Sequence, residues 1–548
     1  VGSGATLTHH GIIAGPGGLD VVAGGTFDWY AGSIATDRAV TVDGDLIING
    51  GAKELYSNLV IKGTAAIPGT AVNITGAGTI HNAGEMTTDW NATIGVDFVN
   101  LADGTFKPTA AQRTLTFNGA FENYGVIGSS ATQGLSVIAN KHAFNAGTID
   151  ILVVEGASLP TFSANGGMTN TGVINLGRTF DTSFDARLDV EGTFDNEGTI
   201  NVSADFDASA HILTVGHFRN RGVLNVDHNL AVSTSGSTVI VDLRGGTLDI
   251  ASGATFSVTG SNARIIIDDT TTLTGGGTLQ IDSGAAVQLG SDFVYDSSMP
   301  ALDFFSSNDF ESFDGNDYTF TIGAGAAIDS QSTFDFNSTI HVVNEGGITI
   351  NDNTSFFRGG LDNEAGGTIT IKGSGNGGTS RLTVIDNLVN RGTITLSEED
   401  ITDSDIELVV NGDSNLQNYG TISTAHPGSA SGSTFLIAAQ LTNYGTVNAN
   451  HDLELNAGTS TDNHVNRGTI SIASGATLAL GSGDTFTNDV TGTIAGAGTL
   501  DMSGAVGGTM TNNGIIETGG HDSAGTLNVI GNMINSDSSV IDIEVGNG

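Results

Sequence analysis

An all-β fold, a right-handed parallel β-helix (β-solenoid) of roughly 20 or more coils, is what this sequence predicts. Three observations predict it. The motif Asn-x-Gly-[Thr/Val]-[Ile/Val/Leu] recurs at nearly constant spacing, apolar residues stand singly between polar ones, and glycine is abundant (80 of 548 residues) where proline is scarce (6). The motif begins at Asn123, Asn145, Asn170, Asn196 and Asn220, and again at Asn390, Asn418, Asn443 and Asn466. Successive asparagines lie 22, 25, 26 and 24 residues apart in the first group, and 28, 25 and 23 in the second. A fixed period of this size marks repeats that stack.

One repeat reads as strand, tight turn, strand. An apolar residue sits two before the asparagine (Phe121, Met168, Phe194, Phe218, Leu388, Leu416, Leu441) and another four after it (Ile127, Ile174, Ile200, Leu224, Ile394, Ile422, Val447). Between them, Asn-x-Gly supplies residues that tolerate positive φ, so a turn is expected there. Alternation through Ile174-Asn175-Leu176 and Ile394-Thr395-Leu396 puts one face inward and one outward. Coils of about 24 residues stacked at ~4.8 Å pair every internal strand with its neighbours. Identical residues then lie above one another, and the nine motif asparagines form a ladder at the turns.

Along the chain, residues 1–80 carry strand signals without the clean motif and read as an irregular N-terminal β portion. Residues 81–230 are the first regular array. Residues 231–343 keep alternation but lose the motif, and a loop excursion is expected at 292–320. Residues 344–516 are the second regular array, and 517–548 are C-terminal strands. The excursion is suggested by Phe293, Phe304, Phe305, Phe310, Phe313, Tyr318 and Phe320 crowded among acidic residues. Insertions in solenoids map to loops on one face, often the binding face. The alternative is that these aromatics fill the core locally.

The chain carries 59 Asp and Glu against 17 Lys and Arg, a net charge of −42. Phosphate neutralisation needs a basic face, so no nucleic acid partner is expected. Such a surface attracts cations, Ca²⁺ foremost outside a cell. There is no cysteine, hence no disulfide framework and no thiolate metal site. No apolar run is long enough for a membrane-spanning helix. Position 1 is Val and no leader pattern follows, so the chain reads as processed or excised from something longer.

The segments "NEGTINV" (196–202), "NYGTVNA" (443–449) and "NRGTISIASGATLAL" (466–480) are similar to the β-helical passenger regions of bacterial autotransporters and of filamentous-haemagglutinin-like surface proteins. The resemblance covers roughly 81–548. It implies an extracellular or cell-surface bacterial protein used for adhesion, matrix formation or surface coating.

Enzymes are the competing class for this fold. Glycoside hydrolysis needs clustered carboxylates at a fixed separation. Asp268-Asp269 is followed by Thr270-Thr271-Thr272 and reads as a surface turn. Arg178, Arg187, Arg219 and Arg221, near Asp181, Asp185, Asp189 and Asp195, read as outward ion pairs. His9-His10, His211, His217 and His228 lack close metal-ligand spacing. No Gly-x-Ser-x-Gly and no phosphate loop followed by Lys is found, so no catalytic residue and no organic cofactor is assigned. Calcium is the best metal case. Glu398, Glu399, Asp400, Asp403 and Asp405 form one acidic run, and Asp309, Glu311, Asp314 and Asp317 another. Neither fits the helix-loop-helix or nonapeptide calcium pattern.

The function expected is therefore a non-enzymatic, secreted or cell-surface structural and adhesive solenoid. Its partners would be other copies of itself or a host or glycan surface ligand. The second reading is a self-assembling filament, sheath or surface-layer subunit bridged by cations. A β-helix enzyme acting on acidic polysaccharide is third.

Overall fold

A computed structural model describes residues 1–109, 113–128, 135–153, 160–178, 185–203, 211–234, 238–260, 262–281, 284–304, 308–330, 333–351, 353–373, 379–398, 405–411, 415–426, 435–456, 463–519 and 525–543. The chain forms two compact units, Val1–Gln280 and Ile281–Gly548. Each is a stack of parallel β-coils, three strands to a coil. One 3₁₀ turn, Val506–Gly508, is the sole helical element among the described residues.

In the first unit one ladder of 13 strands runs from Thr6–His9 to Thr272–Thr274, one strand per coil. Its neighbours pair in parallel without offset, so Ile127, Ile149, Ile174, Ile200, Leu224, Leu248 and Leu273 form one inward column. Phe98, Phe121, Ala143, Met168, Phe194, Phe218, Val241 and Ile265 form another. These side chains are at most a few per cent exposed. Strand alternation thus sends every second residue into a continuous apolar core. The coils begin at Thr6, so residues 1–80 belong to the same regular stack as the motif array.

In the second unit an 11-stranded ladder runs from Phe293–Tyr295 to Asn532–Asn535, and a 10-stranded ladder from Ala327–Ser330 to Val540–Ile543. Leu361, Leu388, Leu416 and Leu441 stack in the first, and Ile348, Ile369, Ile394, Ile422, Val447 and Ile470 in the second. The stretch 292–320, expected to loop out, instead contributes paired strands. Phe293 stands opposite Phe320, and Phe310 stacks on Phe336 with ring centroids 4.2 Å apart. Phe293, Phe304, Phe310 and Phe320 are buried, because period-two alternation points them inward like any other strand residue. Phe305 lies outside the described residues.

The motif asparagines lie at strand ends with their side chains fully buried. In the first unit each Nδ2 donates to the Oδ1 of the next coil's asparagine, from Asn82 through Asn100, Asn123, Asn145, Asn170 and Asn196 to Asn220, at 2.6–2.8 Å. The second unit repeats this from Asn344 through Asn363, Asn390, Asn418, Asn443, Asn466, Asn488 and Asn512 to Asn535, at 2.6–2.9 Å. Nδ2 also reaches a main-chain carbonyl, as from Asn418 to Thr446 at 3.1 Å.

The motif glycine serves a purpose other than the one expected of it. Gly125, Gly147, Gly172, Gly198 and Gly222 are not among the glycines at positive φ. A Cβ on Gly147, Gly172 or Gly198 would instead lie 2.1 Å from the carbonyl oxygen of the glycine one coil earlier. Close approach of successive backbones, and not a left-handed turn, excludes a side chain here.

Candidate functional site

A stack of coils leaves two places for chemistry: outward columns on its faces and polar groups buried at its corners. The residue after each ladder asparagine points outward, and in the second unit these residues interact from coil to coil. Arg391 donates to Glu364 at 2.6 Å. The Tyr419 and Tyr444 rings stack at 4.7 Å and 2°. Arg467 donates to the Tyr444 hydroxyl at 2.9 Å and to Asp489 at 2.8 Å, its guanidinium 5.5 Å from the Tyr444 ring centroid. The Val490 main-chain N–H and then Arg467 hold the Asp489 carboxyl below its usual range. Tyr419 is 48% and Tyr444 40% exposed. Their facing sides meet each other, so the column offers ring edges and hydroxyls to a partner. Sequence reasoning missed this column, though it was written there as the variable letter of each motif.

The first unit carries an outward polar ladder of its own. Asn175 donates to Asp150, Asn201 to Asn175 and Asn225 to Asn201, at 2.6–2.8 Å. Arg187 pairs with Asp189 at 2.6 Å and Arg219 with Asp195 at 3.3 Å, as outward ion pairs. Arg178's side chain and Asp181 lie outside the described residues. Asp268 accepts from the Thr270 main-chain N–H and hydroxyl, at 2.9 and 2.5 Å, closing a turn.

The corners hold buried histidines. The Ala186 N–H donates to His211 Nδ1 at 3.1 Å, and the Leu441 N–H to His464 Nδ1 at 3.3 Å. Each ring therefore carries its own proton on Nε2, which faces the Ser203 carbonyl at 3.2 Å or Asp484 at 3.4 Å. His217 has its pKa lowered, by burial first and by Arg219 second.

Of the acidic residues expected to hold calcium, those that the structure describes stand in different settings. The Glu398 side chain is buried at a corner, its carboxylate 3.4 Å from His426 Nε2. Asp405 is exposed at the start of Asp405–Val410. Glu399, Asp400, Asp403 and the Asp309 side chain lie outside the described residues. Glu311 accepts from Gln288 Nε2 at 2.8 Å. Asp314 is turned into its own exposed turn, accepting from the Asn316 N–H at 3.1 Å and the Tyr318 hydroxyl at 3.0 Å, and its pKa is lowered by those bonds, the Asn316 N–H first. Asp317 is exposed beside it. Among the described residues no three His, Asp or Glu side chains converge on a point where an ion could sit. Within 292–320 this turn is exposed, with Phe313 at 44%, and so is Val294 at 54%.

No helix among the described residues is long and apolar enough to cross a membrane. Comparison with family models, with curated proteins and with solved structures finds no match, so the chain's assignment rests on its own geometry: it is a β-solenoid repeat protein.

Proposed function

We propose that this chain is a secreted or cell-surface bacterial scaffold, adhesive or structural rather than enzymatic, of the kind its repeats resemble in autotransporter passengers and filamentous-haemagglutinin-like proteins. The observation that carries this reading is the outward periodicity. The same outward position returns every coil at the strand spacing of ~4.8 Å, so weak contacts repeat along one face. Linked weak contacts raise avidity without any single strong site. The buried asparagine ladders are engaged in holding one coil to the next.

Attachment of the purified protein to bacterial or host cells tests the reading. Binding is expected to weaken progressively as whole coils are removed while strand-rich circular dichroism persists. Release of reducing or unsaturated sugars from an acidic polysaccharide would overturn it in favour of an enzyme. The second reading, a filament or surface layer bridged by cations such as Ca²⁺, is favoured by the −42 charge.

A further inference from the structure

We propose that a cavity at one corner of the first unit binds a neutral glycan; this gives the scaffold reading a ligand class and rests on it. The cavity has a volume of about 540 Å³ and is lined by Tyr30, Asn49, Gly50, Pro68, Gly69 and Thr70 among others. These residues follow three successive strands of one ladder, Thr26–Trp29, Asp45–Ile48 and Thr64–Ile67. Stacked turns therefore form its floor.

The parts suit a sugar. Tyr30 is 50% exposed and packs against the His10 ring at 4.7 Å. An aromatic ring of this kind presents an apolar body with a polar tip, which matches the C–H faces and hydroxyls of a pyranose. Asn49 donates its Nδ2 to Asp28 at 2.6 Å, which fixes the amide and leaves Oδ1 to accept. Thr70 is exposed and adds a hydroxyl. A Cβ on Gly51 or Gly69 would meet nothing within 4 Å, so the chain stays open to the cavity there. The depression is shallow and open to solvent, and its few convergent polar groups are of the kind that fix a ligand's orientation.

The floor is held from beneath. Lys53 is fully buried, and its Nζ donates to the carbonyls of Tyr30 at 3.1 Å, Gly50 at 2.9 Å and Asn49. One side chain thus ties together three main-chain positions that line the cavity. It is a positioning residue and does not reach the ligand. The sign of the ligand follows from the rim. Asp28 is bonded to Asn49, and Asp89 accepts the Gly69 N–H at 2.6 Å. Two carboxylates beside the cavity of a chain with net charge −42 repel uronates, sialic acids and phosphates.

Isothermal titration of the full chain with linear neutral hexasaccharides (gluco-, manno- and xylo-oligomers) tests this. At least one is expected to bind, with affinity reduced tenfold or more by Tyr30→Ala and abolished by Thr70→Trp, which fills the cavity from an exposed position. Tyr56→Ala, which removes an exposed tyrosine that does not line the cavity, should change nothing. Absence of binding, equal binding by the folded Tyr30→Ala and Thr70→Trp variants, or binding of uronate oligomers alone would each overturn the proposal. A blank titration with cell attachment retained would remove the glycan site and leave the scaffold reading standing.

Discussion

A buried amide is costly wherever its hydrogen-bonding capacity goes unused. In the second unit's ladder, Asn418 accepts from Asn390 at 2.6 Å and donates to Asn443 at 2.7 Å. Asn418→Ala leaves the Asn443 carbonyl without its donor and the Asn390 amide without one acceptor, at a cost of about 3 kcal/mol. Asn344 is the first rung, and its own Oδ1 already lacks a donor. Asn344→Ala is therefore expected to cost distinctly less; urea unfolding that gave both variants the same loss would refute the ladder as an energetic unit. Lys53 makes a second prediction. Burial pushes its pKa down to about 8, partly opposed by the charge of Asp28. An unfolded lysine titrates near ~10.4. Between those values the unfolded chain holds the proton and the folded chain does not, so this group's contribution to stability rises with pH. The stability of the native protein minus that of Lys53→Met should increase by about 2 kcal/mol from pH 7.5 to 10. A flat difference would mean that the ammonium persists in its cage of carbonyls. Lys53 was legible in principle: alternation with Leu55 places it inward, but a lone lysine in a polar stretch reads first as solvent-exposed.

The repeating element is broader than the motif that revealed it. In the asparagine column the first unit's early coils carry Val21, Val42 and Ile61 before Asn82, and the second unit carries Tyr295 and Ile322 before Asn344. An apolar side chain fills the same inward site, so coils at 1–80 and within 231–343 are regular without the motif. That is why boundaries drawn where the asparagine fades, at 80 and 230, describe composition and not structure. The glycine column is the more constant one. A Cβ on Gly44 would lie 2.1 Å from the Gly25 carbonyl, and one on Gly63 2.0 Å from that of Gly44. Because the obstacle is main chain, Gly172→Ala should cost roughly 1–3 kcal/mol, the range seen for overpacking. It should do so although helix and strand propensities both favour alanine over glycine. A thermal midpoint equal to that of the native protein would show that the coils can separate locally without penalty. The strand period and inward columns were readable because they depend on residue order alone. The outward Tyr419–Tyr444 pair was readable too, as the variable letter of two successive motifs, whereas the use of glycine and the corner cavity were not, since each depends on how closely the backbones of adjacent coils approach.

At the scale of the whole molecule the charge is the dominant property. With 59 acidic against 17 basic residues, copies of the chain repel one another at low ionic strength. If cations bridge copies, light scattering should report growth on adding millimolar Ca²⁺ and reversal on adding a chelator. A particle size unchanged by either reagent would remove the filament reading and leave adhesion. The same charge is the ground on which no nucleic acid partner is expected, since phosphate binding needs a basic face. Sequence proximity does not by itself gather carboxylates: Glu398 turns inward from the strand Thr393–Glu398, and Asp314 bonds within its own turn.

The asparagine ladder has a genetic corollary. Asn145, Asn170 and Asn196 occupy equivalent places, each donating to the next in the same direction. Excising residues 146–170 would bring Asn145 directly before Thr171 and Gly172, and every surviving rung would find the partner type it had before. Recombination between such equivalent codons can lengthen or shorten the protein by whole turns, while a deletion of one residue inverts a strand's inside and outside. Natural variants of this chain are therefore expected to differ by multiples of the repeat.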